Sequence, residues 1–115
     1  MALSISSRRD NGIAILHVHG NVTLGPHLRS FQSRARRVLG EDGCRGLLLN
    51  FAGVTALDSA GIGELVKIHS LAAGCGVRVG IAQASPRVKE MLAITRVDAF
   101  FTLADNESSA LKSLR

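Results

Sequence analysis

Apolar positions along this chain fall into short runs of two spacings, and their alternation predicts strands and helices in turn. Residues 4–9 and 13–19 read as two strands separated by Asp10-Asn11-Gly12, where the Asn-Gly pair is a strong hairpin signal. In the second run Ala14, Leu16 and Val18 share one face, and Ile13, Ile15, His17 and His19 share the other. Apolar residues on both faces predict a strand inside the sheet. Residues 20–25 then read as a loop, and Pro26 suits the first turn of a helix because its fixed φ matches that site. Leu28, Phe31, Ala35, Val38 and Leu39 form the buried stripe of that helix, and Gly40 stops it.

Residues 46–51 are almost continuously apolar, which predicts a buried strand ending by Gly53. From Ser59, helical spacing links Ile62, Leu65, Val66, His69 and Ala72 or Ala73, with Gly74-Cys75-Gly76 closing the segment. Residues 77–82 read as the next strand. Ser85-Pro86 opens a third helix with Val88, Met91, Leu92 and Thr95 inward. Phe100-Phe101-Thr102-Leu103 reads as a short edge strand, and Asp105 or Asn106 caps a last helix through Ala110, Leu111 and Leu114. Strand and helix alternating in this order imply right-handed crossovers. The expected fold is α/β: one domain over residues 1–115, with a mixed, mainly parallel β-sheet packed with about four helices.

Composition sharpens this picture in three ways. Nearly half of the 115 residues are apolar, yet four Phe supply all the aromatic surface, so Leu, Ile, Val and Ala must build the core. No segment approaches the roughly 20 apolar residues needed to span a bilayer, and no secretory leader is evident, so a soluble cytoplasmic protein is expected. Cys44 and Cys75 lack the spacing of a zinc site or disulfide framework and are expected as free thiols. The formal charge is +5, with Arg29, Arg34, Arg36 and Arg37 clustered. Without interleaved aromatic residues or a recognised motif, nucleic-acid binding is not expected. An acidic protein partner fits the same cluster.

Candidate chemistry concentrates at Thr55-Ala56-Leu57-Asp58-Ser59-Ala60-Gly61-Ile62-Gly63, between the buried strand and the second helix. A serine at a helix start lies where unpaired backbone N–H groups gather, so Ser59 serves as an N-cap or as a site for phosphate. Asp58 is the alternative cap, which would leave Ser59 one position inside. Gly61 and Gly63 each cost about 1 kcal/mol relative to Ala in a helix interior. Their presence calls for close packing on the sheet or close approach by a partner. Glu64 and Lys67 fall off the apolar stripe, where solvation or partner contact is expected.

The stretch from Leu49-Asn50-Phe51 through Asp58-Ser59-Ala60-Gly61-Ile62-Gly63-Glu64-Leu65 closely resembles the signature of STAS domains, the family of bacterial anti-sigma-factor antagonists. In that family the serine after this aspartate is phosphorylated. Gly20-Asn21-Val22-Thr23 stands where the family has a Gly-x-Leu-Asp-like segment, and Ser85-Pro86-Arg87-Val88-Lys89-Glu90-Met91-Leu92 resembles its later helix, so the resemblance covers essentially the whole chain. It implies a non-enzymatic binding module without a cofactor of its own. The implied partner is an anti-sigma factor that is also a serine kinase and binds ATP itself, and phosphate on Ser59 releases it. Taken with the helix positions above, the expected contact positions are Asn21, Thr23, Asp58, Ser59, Gly61, Gly63, Glu64 and Lys67. Thr23 departs from the acidic residue often found in that first loop. The alternative is a STAS scaffold subunit, associating with other STAS proteins in a signalling complex or serving a transport system, with Ser59 only a cap.

Other chemistries find less support. Asp58-Ser59-Ala60-Gly61 lacks the Gly-x-Ser-x-Gly context of a hydrolase nucleophile, and no base with an orienting third group is evident. His17 and His19 share a strand face without further ligands in view, so no metal site is expected. The glycines form neither a phosphate-binding loop nor a dinucleotide fingerprint.

Overall fold

A computed structural model describes residues 2–115 and contains five strands and four α-helices. The strands are β1 (Ser4–Asp10), β2 (Ile13–Val22), β3 (Gly46–Leu57), β4 (Arg78–Ala82) and β5 (Thr102–Ala104). The helices are α1 (Leu28–Leu39), α2 (Ser59–Gly74), α3 (Pro86–Ile94) and α4 (Glu107–Leu114). Strand order in the single sheet follows chain order. The β1–β2 pair is antiparallel, and every other neighbouring pair is parallel. The expected mixed, mainly parallel α/β domain is therefore what forms.

Asn11 and Gly12 both take positive φ, 52° and 85°, as a tight hairpin turn requires. Beyond it β2 runs farther than its sequence indicates. Residues 20–22, expected in a loop, continue the strand, because two register shifts let Gly20, Asn21 and Val22 pair with Val54, Ala56 and Leu57. By the same pairing β3 passes through Gly53 and ends only at Leu57. Thr55, Ala56 and Leu57 are thus strand residues, and the turn of the motif shrinks to Asp58 alone. Pro26 lies in the turn before α1, closed by Leu28 N–H donating to the Gly25 carbonyl at 3.3 Å, and the helix starts two residues after it.

Two apolar layers flank the sheet. On one side α1, α2 and α3 cover Ala14, Leu16, Val18, Leu47, Leu49, Phe51, Val79 and Ile81. On the other, α4 alone packs Ala110, Leu111 and Leu114 on Ile13, Ile15, Leu48 and Ala82. The stripe of α1 is the expected one. In α2, Ile62, Leu65 and Ala72 are buried as expected and Ile68 joins them, whereas His69 is only half-buried and stacks on Phe100 at 4.7 Å between ring centroids. In α3, Thr95 is an exposed cap whose hydroxyl donates to the Met91 carbonyl at 2.8 Å. Phe100 belongs to a 3-10 turn (Val97–Phe100) instead of an edge strand, since Arg96, with φ 62°, redirects the chain there. Asn106 caps α4, accepting from Ser109 N–H at 2.8 Å. Cys44 and Cys75 are free.

Asn50 is the buried polar side chain among the described residues. Its amide donates at 2.9 Å to both Gln83 and Glu107, and its oxygen accepts from Ala52 N–H at 3.0 Å, tying β3 to the first turn of α4. Arg8 pairs with Glu107 and also donates through Nε to His17 Nε2 at 3.2 Å. That bond needs a neutral imidazole. Burial, then the positive charge of Arg8 and the proximity of His19, hold the His17 pKa below its ordinary 6.5. The unfolded chain therefore binds this proton first as pH falls, and the contribution of neutral His17 to stability is complete above about 6.5 and fades below it. Urea unfolding of His17→Gln should show a smaller loss of stability than the parent between roughly pH 7 and pH 5.

Candidate functional site

The C-terminal ends of β2 and β3 and the start of α2 meet at Asp58. Its extended backbone (φ −120°, ψ −175°) lets Oδ1 accept from Gly61 N–H at 2.9 Å, while its carbonyl accepts the first helical bond from Ile62. Asp58 is the cap. The other oxygen, Oδ2, accepts at 2.9 Å from the backbone N–H of Leu24, and Asp58 N–H itself reaches the Val22 carbonyl at 3.4 Å. One carboxylate thus joins the helix start to the loop after β2. Partial burial works to raise the pKa of this group, but N–H donors of Leu24, Gly61 and Ala60 outweigh it and hold the carboxyl below its ordinary value. With both oxygens engaged by the backbone, Asp58 is a poor candidate for accepting a serine proton.

Ser59 consequently occupies the first helical position and is exposed. The reading in which Ser59 supplies the capping oxygen is replaced by the one in which Asp58 does. The two glycines separate in role. Gly61 is buried, and a methyl group built on it would overlap the Val22 carbonyl oxygen and approach Leu57 Cδ1 at 2.9 Å. Gly63 is exposed, and a methyl there would meet nothing within 4 Å. Close packing therefore explains Gly61 alone.

Asn21 and Thr23 reach the same sheet end. Thr55 Oγ1 donates to Asn21 Oδ1 at 2.5 Å, so Asn21 braces β2 against β3, and Thr23 is half-buried beside it. Glu64 and Lys67 stand farther along α2. Lys67 is exposed, whereas the Glu64 side chain is only 13% accessible, against its expected place off the buried side. Their ion pair spans 3.6 Å. Next to the motif, Thr55, Ala56 and Leu57 face Val88, Met91 and Ile94 of α3 across an apolar cleft of about 400 Å³.

Leu24 carried no signal in the sequence, because a lone Leu in an expected loop belongs to no periodic stripe. In the structure it is 80% exposed, directly beside the helix cap. Asn50 was likewise read only as part of a strand, since its partners Gln83 and Glu107 lie 33 and 57 positions away.

Comparison with known proteins bears on this arrangement. Over 104 residues the chain is 25% identical to a STAS-domain containing protein of Pseudomonas aeruginosa, covering 90% of this chain and 100% of that one. An anti-sigma factor antagonist from Mycobacterium paratuberculosis superposes with a TM-score of 0.82 at 19% identity, over 99% of this chain and 95% of that one. The murine anion transporter Slc26a9 contains the same fold, with a TM-score of 0.81 and 18% identity over 93% of this chain but 18% of the transporter. At such identities the structural likeness is one of fold. The family model of the STAS domain matches residues 4–110, all five strands with α1 to α3 and the first half of α4, and the chain belongs to the STAS domain family.

Proposed function

We propose that this domain is a cytoplasmic protein-binding switch of the anti-sigma factor antagonist kind, which engages a bacterial anti-sigma factor that is also a serine kinase. The observation that carries this reading is the division of labour at the start of α2. Asp58 supplies the capping oxygen, so the exposed Ser59 hydroxyl is not needed to hold the helix. Phosphorylation at the first helical position adds about −1.5 to −2 charges where the helix dipole favours an anion, so the fold tolerates it. In a fitted complex the same dianion must shed water and meet the partner's surface, and the complex loosens. Transfer itself rests on positioning and metal-assisted charge stabilisation, supplied by the kinase with its ATP. Asn21, Thr23, Gly63 and Lys67 frame the contact, and the +5 charge suits an acidic protein better than a duplex, given the lack of a stacking platform.

Mass spectrometry of protein taken from its native cells should find phosphate on Ser59. Against the co-purifying kinase, Ser59→Ala should bind as the parent does and Ser59→Asp about tenfold more weakly, because one carboxylate carries part of the phosphate charge. Equal binding by the two variants, with no phosphate on the native protein, would sink the switch in favour of a scaffold or transporter subunit.

A further inference from the structure

We infer that Leu24 is the apolar anchor of the contact around Ser59, and that it fits a partner surface presenting an apolar recess edged by carboxylates. The inference rests on the binding-switch reading and specifies the chemistry of the partner. Leu24 is the most exposed large apolar side chain among the described residues, at 80%, and its backbone is fixed by the N–H bond to Asp58 Oδ2 at 2.9 Å. A second backbone bond, Leu28 N–H to the Gly25 carbonyl, closes the turn that follows it. An apolar side chain held outward on a fixed backbone adds little backbone ordering cost on binding, so more of the gain from its burial is kept. Its tether is the carboxylate adjacent to Ser59. A group docked on Leu24 therefore lies beside the serine hydroxyl, and a phosphate there acts on the same contact.

The charge of the partner follows from the neighbours. Thr23 before the anchor is neutral, the Asp58 carboxylate has both oxygens engaged by the backbone N–H groups of Leu24 and Gly61, and α1 carries Arg29, Arg34, Arg36 and Arg37 without one acidic residue. Arg29 and Arg36, two turns apart on one face, are exposed, and neither belongs to an ion pair among the described residues. A cationic rim would be repelled here, whereas carboxylates around the recess would be matched.

The test follows phosphate entering Ser59 when purified protein is incubated with ATP and a clarified extract of its native cells. Leu24→Ala should slow incorporation about tenfold, and Leu24→Met, which keeps the apolar volume, should restore most of the rate. Arg29→Glu should slow it severalfold. Leu103→Ala, an exposed apolar residue on the far edge strand, should match the parent. With Leu24 so exposed, the thermal midpoint of Leu24→Ala should equal that of the parent, which separates docking from folding. An unchanged rate in Leu24→Ala, or an equal loss in Leu103→Ala, overturns the anchor while leaving the switch intact. An unchanged rate in Arg29→Glu overturns the acidic rim. A parent protein that takes up no phosphate overturns the switch and the anchor together.

Discussion

Gly61→Ala is expected to lower the unfolding free energy by about 3 kcal/mol, while the same change two residues on, Gly63→Ala, raises it by up to about 1 kcal/mol. At position 61 the new methyl would overlap the Val22 carbonyl oxygen, a backbone atom in the ladder with β3, and press on Leu57 Cδ1 at 2.9 Å. A side chain could swing away, but a paired carbonyl cannot. Relief must come from moving α2 off the sheet, which loosens Ile62, Leu65 and Ile68 in the main core. At position 63 the methyl meets only solvent, so the residual effect is the smaller entropy lost by alanine on entering a helix. Urea unfolding curves of the two variants should therefore shift in opposite directions. Similar shifts in one direction would contradict the packing described here.

Asp58→Ala is expected to cost about 2 kcal/mol, roughly half from losing the cap on Gly61 N–H and half from leaving Leu24 N–H without its charged acceptor. Asp58→Asn, with one acceptor oxygen, should retain part of this. The pH dependence has a definite sign. Backbone donors hold the Asp58 carboxyl below its ordinary 3.8, so its stabilisation is complete above that value and is lost as pH falls through the lowered folded-state pKa. Asp58→Ala should thus be less stable than the parent near neutrality, with the gap narrowing in acid. Amide exchange at Leu24 gives a local check, because that proton should exchange faster in the variant even where global stability is held equal with osmolyte.

Sequence patterning made the layered fold legible wherever an element forms by its own local rules. The Asn11-Gly12 hairpin, the stripe of α1 and the Ser85-Pro86 start of α3 each depend on residues a few positions apart. The tail of β2 was illegible because residues 20–22 are strand only by virtue of pairing with β3 across bulges, a partnership between segments more than 30 positions apart. Phe100 misled for a related reason, since the positive φ at Arg96 redirects the chain before an apolar run that otherwise resembles a strand. At the site, the Asp58-Ser59 pair was visible as a helix start, but which residue caps it is decided by backbone direction. Leu24 was invisible because its place beside the helix cap is set by a hydrogen bond to Asp58, 34 positions on.

The uneven layering of the sheet decides what each of its faces depends on. The layer under α4 is small, and its strand contributors Ile13, Ile15, Leu48 and Ala82 already lie in a sheet held from the other side by three helices. The eight residues of α4 are too few to persist as an isolated helix in water, so its helical form depends on packing against the sheet. Without α4 a row of aliphatic residues would be bare, and Asn50 and Arg8 would lose Glu107, while the layer that packs α2 would keep its own contacts. The small helix thus keeps a second apolar face of the sheet out of water, on the side away from the layer that packs α2 and its Ser59 start.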